Sequence, residues 1–243
     1  MNRPTPSPSG TPIYRHEPRQ RPFSTAQGDD VAIDLVTRHV EKHIGPVQSV
    51  FHEILSDLVH LDILIVAPTK ERNYYTLVTC GMSQLPMTVP EGAEKFRYAE
   101  LMLCLPPDWP LSDEAFQDER NYWPIRCLKT LARLPHEYDT WLYAAHSIPN
   151  GDPAEPYADN TKFAGMLLNV PATVEPIRDF FALTVSPDKE IHFFSLIPLY
   201  PEEMDDKLKN GAESLFDKLE KADVTELVQL GRRNVSKKRF GFF

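Results

Sequence analysis

Proline decides what this chain can fold into. There are 23 in 243 residues, nearly twice the usual share of roughly 5%, and many stand at the ends of apolar runs. Proline lacks an amide proton and has a fixed φ, so it stops helices and interior strands. The chain is thereby divided into short elements.

Asp29 and Asp30 are suited to capping a helix in which Ile33, Val36, Val40 and Ile44 recur on one face, ended by Gly45-Pro46. Strand-type runs follow at 47–55, at 60–67 before Pro68, at 74–80 before Gly81 and at 97–105 before Pro106-Pro107. Their short connections predict antiparallel neighbours. Trp123, Cys127, Leu131 and Leu134 then share a helical face, with Pro124 in the first turn and Pro135 as terminator. Tyr138, Trp141, Leu142 and Ala145 suggest a second helix, ended by Pro149-Asn150-Gly151.

Strands return at 163–170, 180–185 and 190–199, the last two joined by the turn Ser186-Pro187-Asp188-Lys189. Pro201-Glu202-Glu203 opens a long helix with the stripe Met204, Leu208, Ala212, Leu215, Leu219 and Ala222. A short helical turn is predicted at 225–230. There is no internal repeat. This succession predicts an α+β fold, a mixed and largely antiparallel sheet with flanking helices, in one domain over 28–235. The Pro-rich stretch 1–27 reads as a disordered tail and 236–243 as a basic C-terminal tail. The loops at 82–96 and 147–162 are long enough to be functional or mobile.

Charge narrows the function. The net charge is −9; residues 1–22 hold +3 and residues 231–243 hold +5, which leaves −17 on the body. An acidic body argues against nucleic-acid binding, which needs a basic face. It suits a basic protein partner, and acidity also favours solubility. Cys80, Cys104 and Cys127 are an odd set without C-x-x-C spacing, and Cys80 and Cys104 read as small buried hydrophobes. A reducing, cytoplasmic setting fits better than secretion. The start of the chain lacks an apolar signal region, and no apolar run approaches the roughly 18 residues that would span a membrane.

No nucleotide-binding, nucleophile-elbow or zinc-protease motif occurs. The nearest approach to a reaction centre is His52, His60, Asp62 and Glu100. His60 and Asp62 share one strand face, and Glu100 interrupts an apolar strand. These residue types can hold a metal or move a proton. Without a nucleophile or water-activating group, the expectation is a structural polar cluster with no catalytic residue, metal or cofactor. Met82, Ser83, Pro86 and Met87 form a soft loop after Gly81, and Trp109 opens another. They are candidate partner contacts; the competing reading folds the methionine loop back as a plug over the core edge. The basic run at 232–239 is suited to folding back on the acidic body, a competing use to nucleic-acid contact.

Six stretches carry a resemblance to a family. They are Val50-Phe-His-Glu-Ile54, Val59-His-Leu-Asp-Ile-Leu-Ile65, Tyr75-Thr-Leu-Val-Thr-Cys-Gly-Met-Ser83 with Pro86-Met87, and Tyr98-Ala-Glu-Leu-Met-Leu-Cys-Leu-Pro106 with Asp108-Trp109, then Ile197-Pro-Leu-Tyr200 with Glu203 and Lys207-Leu-Lys-Asn-Gly211. In these the chain resembles the Suppressor of fused domain proteins, specifically their short bacterial members. The resemblance implies a non-enzymatic interaction domain. The animal relative looks like a two-domain protein that clamps an extended peptide as an added strand, and this chain corresponds to its N-terminal domain. Bacterial relatives are linked to toxin systems, where the domain is similar to an immunity protein that neutralises a toxin, commonly a nuclease. The expected function is therefore toxin neutralisation. Sequestering a transcription factor or peptide is the alternative, and a metal-dependent hydrolase is the rival from another class.

Overall fold

The computed structural model describes residues 4–17, 22, 26, 28–53 and 57–237. Its centre is an eight-stranded sheet in the order β3-β4-β5-β6-β10-β8-β7, with β9 paired to β10 beside β8. The strands are β3 (Val47–Phe51), β4 (Asp62–Val66), β5 (Tyr75–Cys80), β6 (Tyr98–Leu105), β7 (Ser147–Pro149), β8 (Gly165–Asn169), β9 (Ala182–Ser186) and β10 (Lys189–Leu199). Every pair is antiparallel except β6 with β10, which run parallel. The mixed α+β architecture expected from the sequence is the one found.

The central strands are apolar on both faces because both faces are covered. On one side, Ile63, Leu77, Leu101, Leu103, Phe194 and Leu196 pack with helix α2 (Glu119–Tyr138) through Trp123, Ile125, Leu128 and Leu131. On the other, Leu64, Val78, Met102, Ile191 and Phe193 meet Val36 and Val40 of α1 (Asp30–His43) and Phe180 of the short α3 (Ile177–Phe181). A third cluster joins Leu167, Ile197 and Leu199 to Met204 of α4 (Pro201–Asn210) and to Leu215 and Leu219 of α5 (Ala212–Glu220). Burying one such Phe or Leu contributes about 1.5–3 kcal/mol.

Asp29 caps α1 as expected, its carboxylate accepting from the Val31 and Ala32 amides. Other expectations need correcting. Pro135 does not end α2: it lies buried inside the helix, which runs to Tyr138 and stops at Asp139 in the left-handed region. Helix α2 begins at Glu119, so Pro124 is past its first turn. Residues 139–146 form no helix, because the chain there passes from α2 into β7. The long helix predicted from Pro201 breaks at Gly211, whose φ of +90° interrupts a stripe that continues in register on either side. Leu227, predicted in a helical turn, instead bridges Cys104 in parallel and extends the end of β6.

Residues 4–17, read with the rest of 1–27 as disordered, form a hairpin of β1 (Thr5–Pro6) and β2 (Pro12–Ile13). Pro8 starts its turn and Gly10, at φ +85°, completes it. At the other end, the described part of 236–243 does not hang free, since Ser236 Oγ donates to Asp206 at 2.6 Å; residues 238–243 lie outside the described residues.

Candidate functional site

The four polar strand residues do not form one centre. His52 Nδ1 lies 3.1 Å and His60 Nε2 3.4 Å from the same Asp62 oxygen, at the start of β4. Glu100, two strands away on β6, meets none of them. Its buried carboxylate accepts from Thr79 Oγ1 (2.6 Å), the Gly81 amide (2.9 Å), the Ser83 amide (3.0 Å) and Ser83 Oγ (2.7 Å). These donors come from the end of β5 and the turn after it. Glu100 therefore pins the departure of that turn from the sheet. Gly81 permits it: φ is +129°, and a Cβ there would stand 1.9 Å from the His60 carbonyl oxygen. Among the described residues, no group of three or more His, Cys, Asp or Glu side chains is placed to hold a metal ion.

The proposed contact loop faces inward. Met82, Ser83, Met87 and Trp109 are buried, and Pro86 is exposed beside the exposed Leu85. The loop is the plug: the Met82 carbonyl accepts from His136 Nε2 of α2 at 3.1 Å, and Met87 joins the α2-side core. Trp109 donates Nε1–H to the Asn121 carbonyl at 3.0 Å and stands edge-on to Trp123. Of the five candidate contact residues, Pro86 is the exposed one, and the other four are packed into the core. The three thiols are buried, which holds Cys80 well above the ordinary thiol range and pushes Cys104 and Cys127 up to about 12; they are inert hydrophobes.

Two further buried carboxylates were not singled out by sequence reasoning. Glu226 accepts from the Ala172 amide and from the amide and hydroxyl of Thr173 at 2.7–2.9 Å. Glu203 makes a two-pronged pair with Arg232 at 2.7 and 2.5 Å, accepts from the amides of Tyr200 and Val235, and is wholly buried. Arg232 lies over Phe163 and Tyr200 and donates to the Pro198 carbonyl. The described part of the C-terminal run thus folds back on the acidic body, with Arg232 on Glu203, Asn234 Nδ2 donating to Glu202 and Ser236 Oγ to Asp206. Glu226 and Glu203 both sit in short acidic stretches that look solvated, so only their immediate apolar neighbours hinted at burial.

Four histidines are held neutral by burial. His39 sits between Phe180 and Phe193, His136 under the Met82 carbonyl and His192 against Phe96 and Phe181; burial lowers each pKa, and it lowers His146, beside Trp141 and Lys207, to about 4. The unfolded chain binds these protons near pH 6.5 and the native chain does not, so stability is complete above about 6.5 and falls with pH toward 4. His146 alone contributes a loss of roughly 2 kcal/mol by pH 5. The urea midpoint should drop clearly between pH 7.5 and 5, less steeply in His146→Gln; a flat profile in the unmodified chain contradicts it.

What the surface offers is charge, concavity and one sheet edge. Glu202, Asp205, Glu213, Asp217 and Glu220 are exposed along α4 and α5. Asp118, Glu119, Glu155 and Asp159 line a shallow groove of about 880 Å³, where Asp118 is held below the usual carboxylate range by Arg120. Among the described residues strand β3 pairs with β4 alone, and its Gln48 and Ser49 are exposed.

A mixed, largely antiparallel sheet covered on both faces by helices defines an α+β domain. The chain belongs to the Suppressor of fused family: the family described as Suppressor of fused protein (SUFU) matches residues 57–233. No curated protein sequence matches. The fold is similar to a SUFU homologue from Neisseria gonorrhoeae FA 1090, with a TM-score of 0.63 at 17% identity over 87% of this chain and 100% of that one. It is also similar to a chain of a Sufu–Fu complex structure, with a TM-score of 0.58 at 12% identity over 87% of this chain and 93% of that one. Drosophila Suppressor of Fused gives 0.54 at 11% over 88% of this chain and 52% of that chain, about half its length. At these identities the likeness carries the fold alone.

Proposed function

We propose that this chain is a cytoplasmic protein-binding domain that neutralises a basic toxin, of which a nuclease is the foremost class, by occupying it without turnover. The acidic body, with −17 between the basic ends, is the observation that carries this reading. Its exposed acids on α4 and α5 and along the 118–159 groove speed encounter with a basic partner and disfavour acidic ones. The buried carboxylates Glu100, Glu203 and Glu226 are taken up by hydrogen bonds and an ion pair within the fold, and this reading therefore places recognition on the surface.

The test is coexpression. The product of the gene beside this one, expressed alone, should arrest growth, and coexpression of this chain should restore colony counts by at least a hundredfold. Arrest that persists with folded chain present contradicts the neutralising role. A second reading, capture of a regulatory peptide as an added strand, is favoured by the open β3 edge and by the Sufu–Fu complex of a related fold. It predicts binding to a short linear segment that Gln48→Pro abolishes.

A further inference from the structure

The hairpin segment 4–17 lies outside the residues matched by the family, yet it is seated on the body. The Ser9 amide donates to the Leu208 carbonyl at 3.0 Å. Leu208 is in the last turn of α4, where carbonyls lack intrahelical partners, so the segment satisfies an acceptor that the helix leaves open. His16 stacks on Tyr138, the last residue of α2, at 4.9 Å and 29°. Arg15 reaches Asp152 at 3.5 Å, with both side chains mostly exposed.

The fit is incomplete. A cavity of about 400 Å³ remains between segment and body, lined by Tyr14, His16, Thr88, Pro90, Tyr138 and Trp141 among others. Within 4–17 only Ser7 is buried, and Tyr14 is 54% exposed. Among the described contacts are a backbone donor, a ring stack and an exposed ion pair, beside a wall of Pro90, Tyr138 and Trp141. Four prolines in these fourteen residues restrict the free segment, which lowers the entropy cost of seating it.

We propose that the end of α4 together with the Pro90–Tyr138–Trp141 wall is a docking site for a proline-rich hairpin peptide, and that residues 4–17 are its resident, displaceable occupant. Tethering gives the resident a high effective concentration, so a peptide in trans sees a site open only part of the time and binds correspondingly weakly. This inference rests on the seat's contacts and stands apart from the toxin reading, and its test uses no toxin.

A fluorescein-labelled synthetic peptide with the sequence of residues 1–22 is titrated by anisotropy into the full chain and into the full-length double variant Ser9→Pro/His16→Ala. Those changes remove the amide donor and the stack from the resident segment only. The peptide should bind the double variant at least tenfold more tightly than the unmodified chain. Adding Tyr138→Ala to the variant should reverse the gain; Pro90→Glu, on the exposed loop, serves if Tyr138→Ala lowers the melting temperature by more than a few degrees. Equal affinity for both chains, no binding to the folded double variant, or a gain that survives the wall substitutions overturns the proposal.

Discussion

Arg232→Ala should lower the unfolding free energy by about 3–5 kcal/mol, the usual result of removing one partner from a buried ion pair. Glu203 is completely buried, and Arg232 supplies both its prongs. Without the guanidinium a carboxylate is left uncompensated at the start of α4. Arg232 also covers Phe163 and Tyr200, and the Tyr200 hydroxyl donates to its carbonyl at 2.7 Å, so the strap from 232 to 236 loosens with it. The melting temperature should fall by roughly 6–20 °C for a domain of this size. The double change Glu203→Gln/Arg232→Met should recover much of the loss, because replacing both charges by well-packed neutral groups removes the penalty. Urea unfolding followed by tryptophan fluorescence measures both. A loss below about 1 kcal/mol for Arg232→Ala would show that the pair behaves as an exposed one.

Glu100→Ala should cost a comparable amount, about 3–5 kcal/mol, for a different reason. Here no cation is present; the carboxylate is held by four donors. Deleting it orphans two backbone amides and two hydroxyls, at about 1–3 kcal/mol for each group left buried and dry. Glu100→Gln keeps one acceptor oxygen but turns an NH2 toward donors, and should lose about half as much. Thr79→Val removes one donor to Glu100 and the acceptor of the Leu101 amide, and should cost about 2–3 kcal/mol. The same series separates the structural role from a catalytic one, since His60→Ala touches a different cluster and should leave stability within about 1 kcal/mol of the unmodified chain. Stability unchanged in Glu100→Ala would mean that the turn at Gly81 is anchored elsewhere.

The sheet was legible because its strands end at proline or glycine and because both faces are apolar. Runs such as 60–67 and 97–105 are too short to be helices with a buried stripe and read as strands covered on both faces. The turn Ser186-Pro187-Asp188-Lys189 fixed the pairing of β9 with β10. Helix limits were less readable. Pro135 is tolerated inside α2 because tertiary burial outweighs the local cost, and the α4–α5 stripe hid a break that only the backbone of Gly211 requires. The pairing of β6 with β10 joins residues about ninety positions apart and leaves no local mark. The N-terminal hairpin was missed because a Pro- and Ser-rich composition says nothing of a seat elsewhere on the molecule.

The polar cluster was half legible. His60 and Asp62 share a face and do meet. Glu100 stood out as a charge in an apolar strand, but its partners lie across a turn rather than beside Asp62. Met82 and Met87 allowed two readings, a contact loop or a plug folded back over the core edge; the loop after Gly81 is held inward by Glu100 and His136.

The central claim is that this molecule acts by holding a basic protein. Its most direct test is stopped-flow association of the purified full chain with the product of the neighbouring gene, at 50 and 300 mM salt, with stoichiometry from light scattering. A 1:1 complex should form, with an association rate falling at least tenfold at the higher salt. Absence of a complex, or an association rate indifferent to salt, would contradict the account.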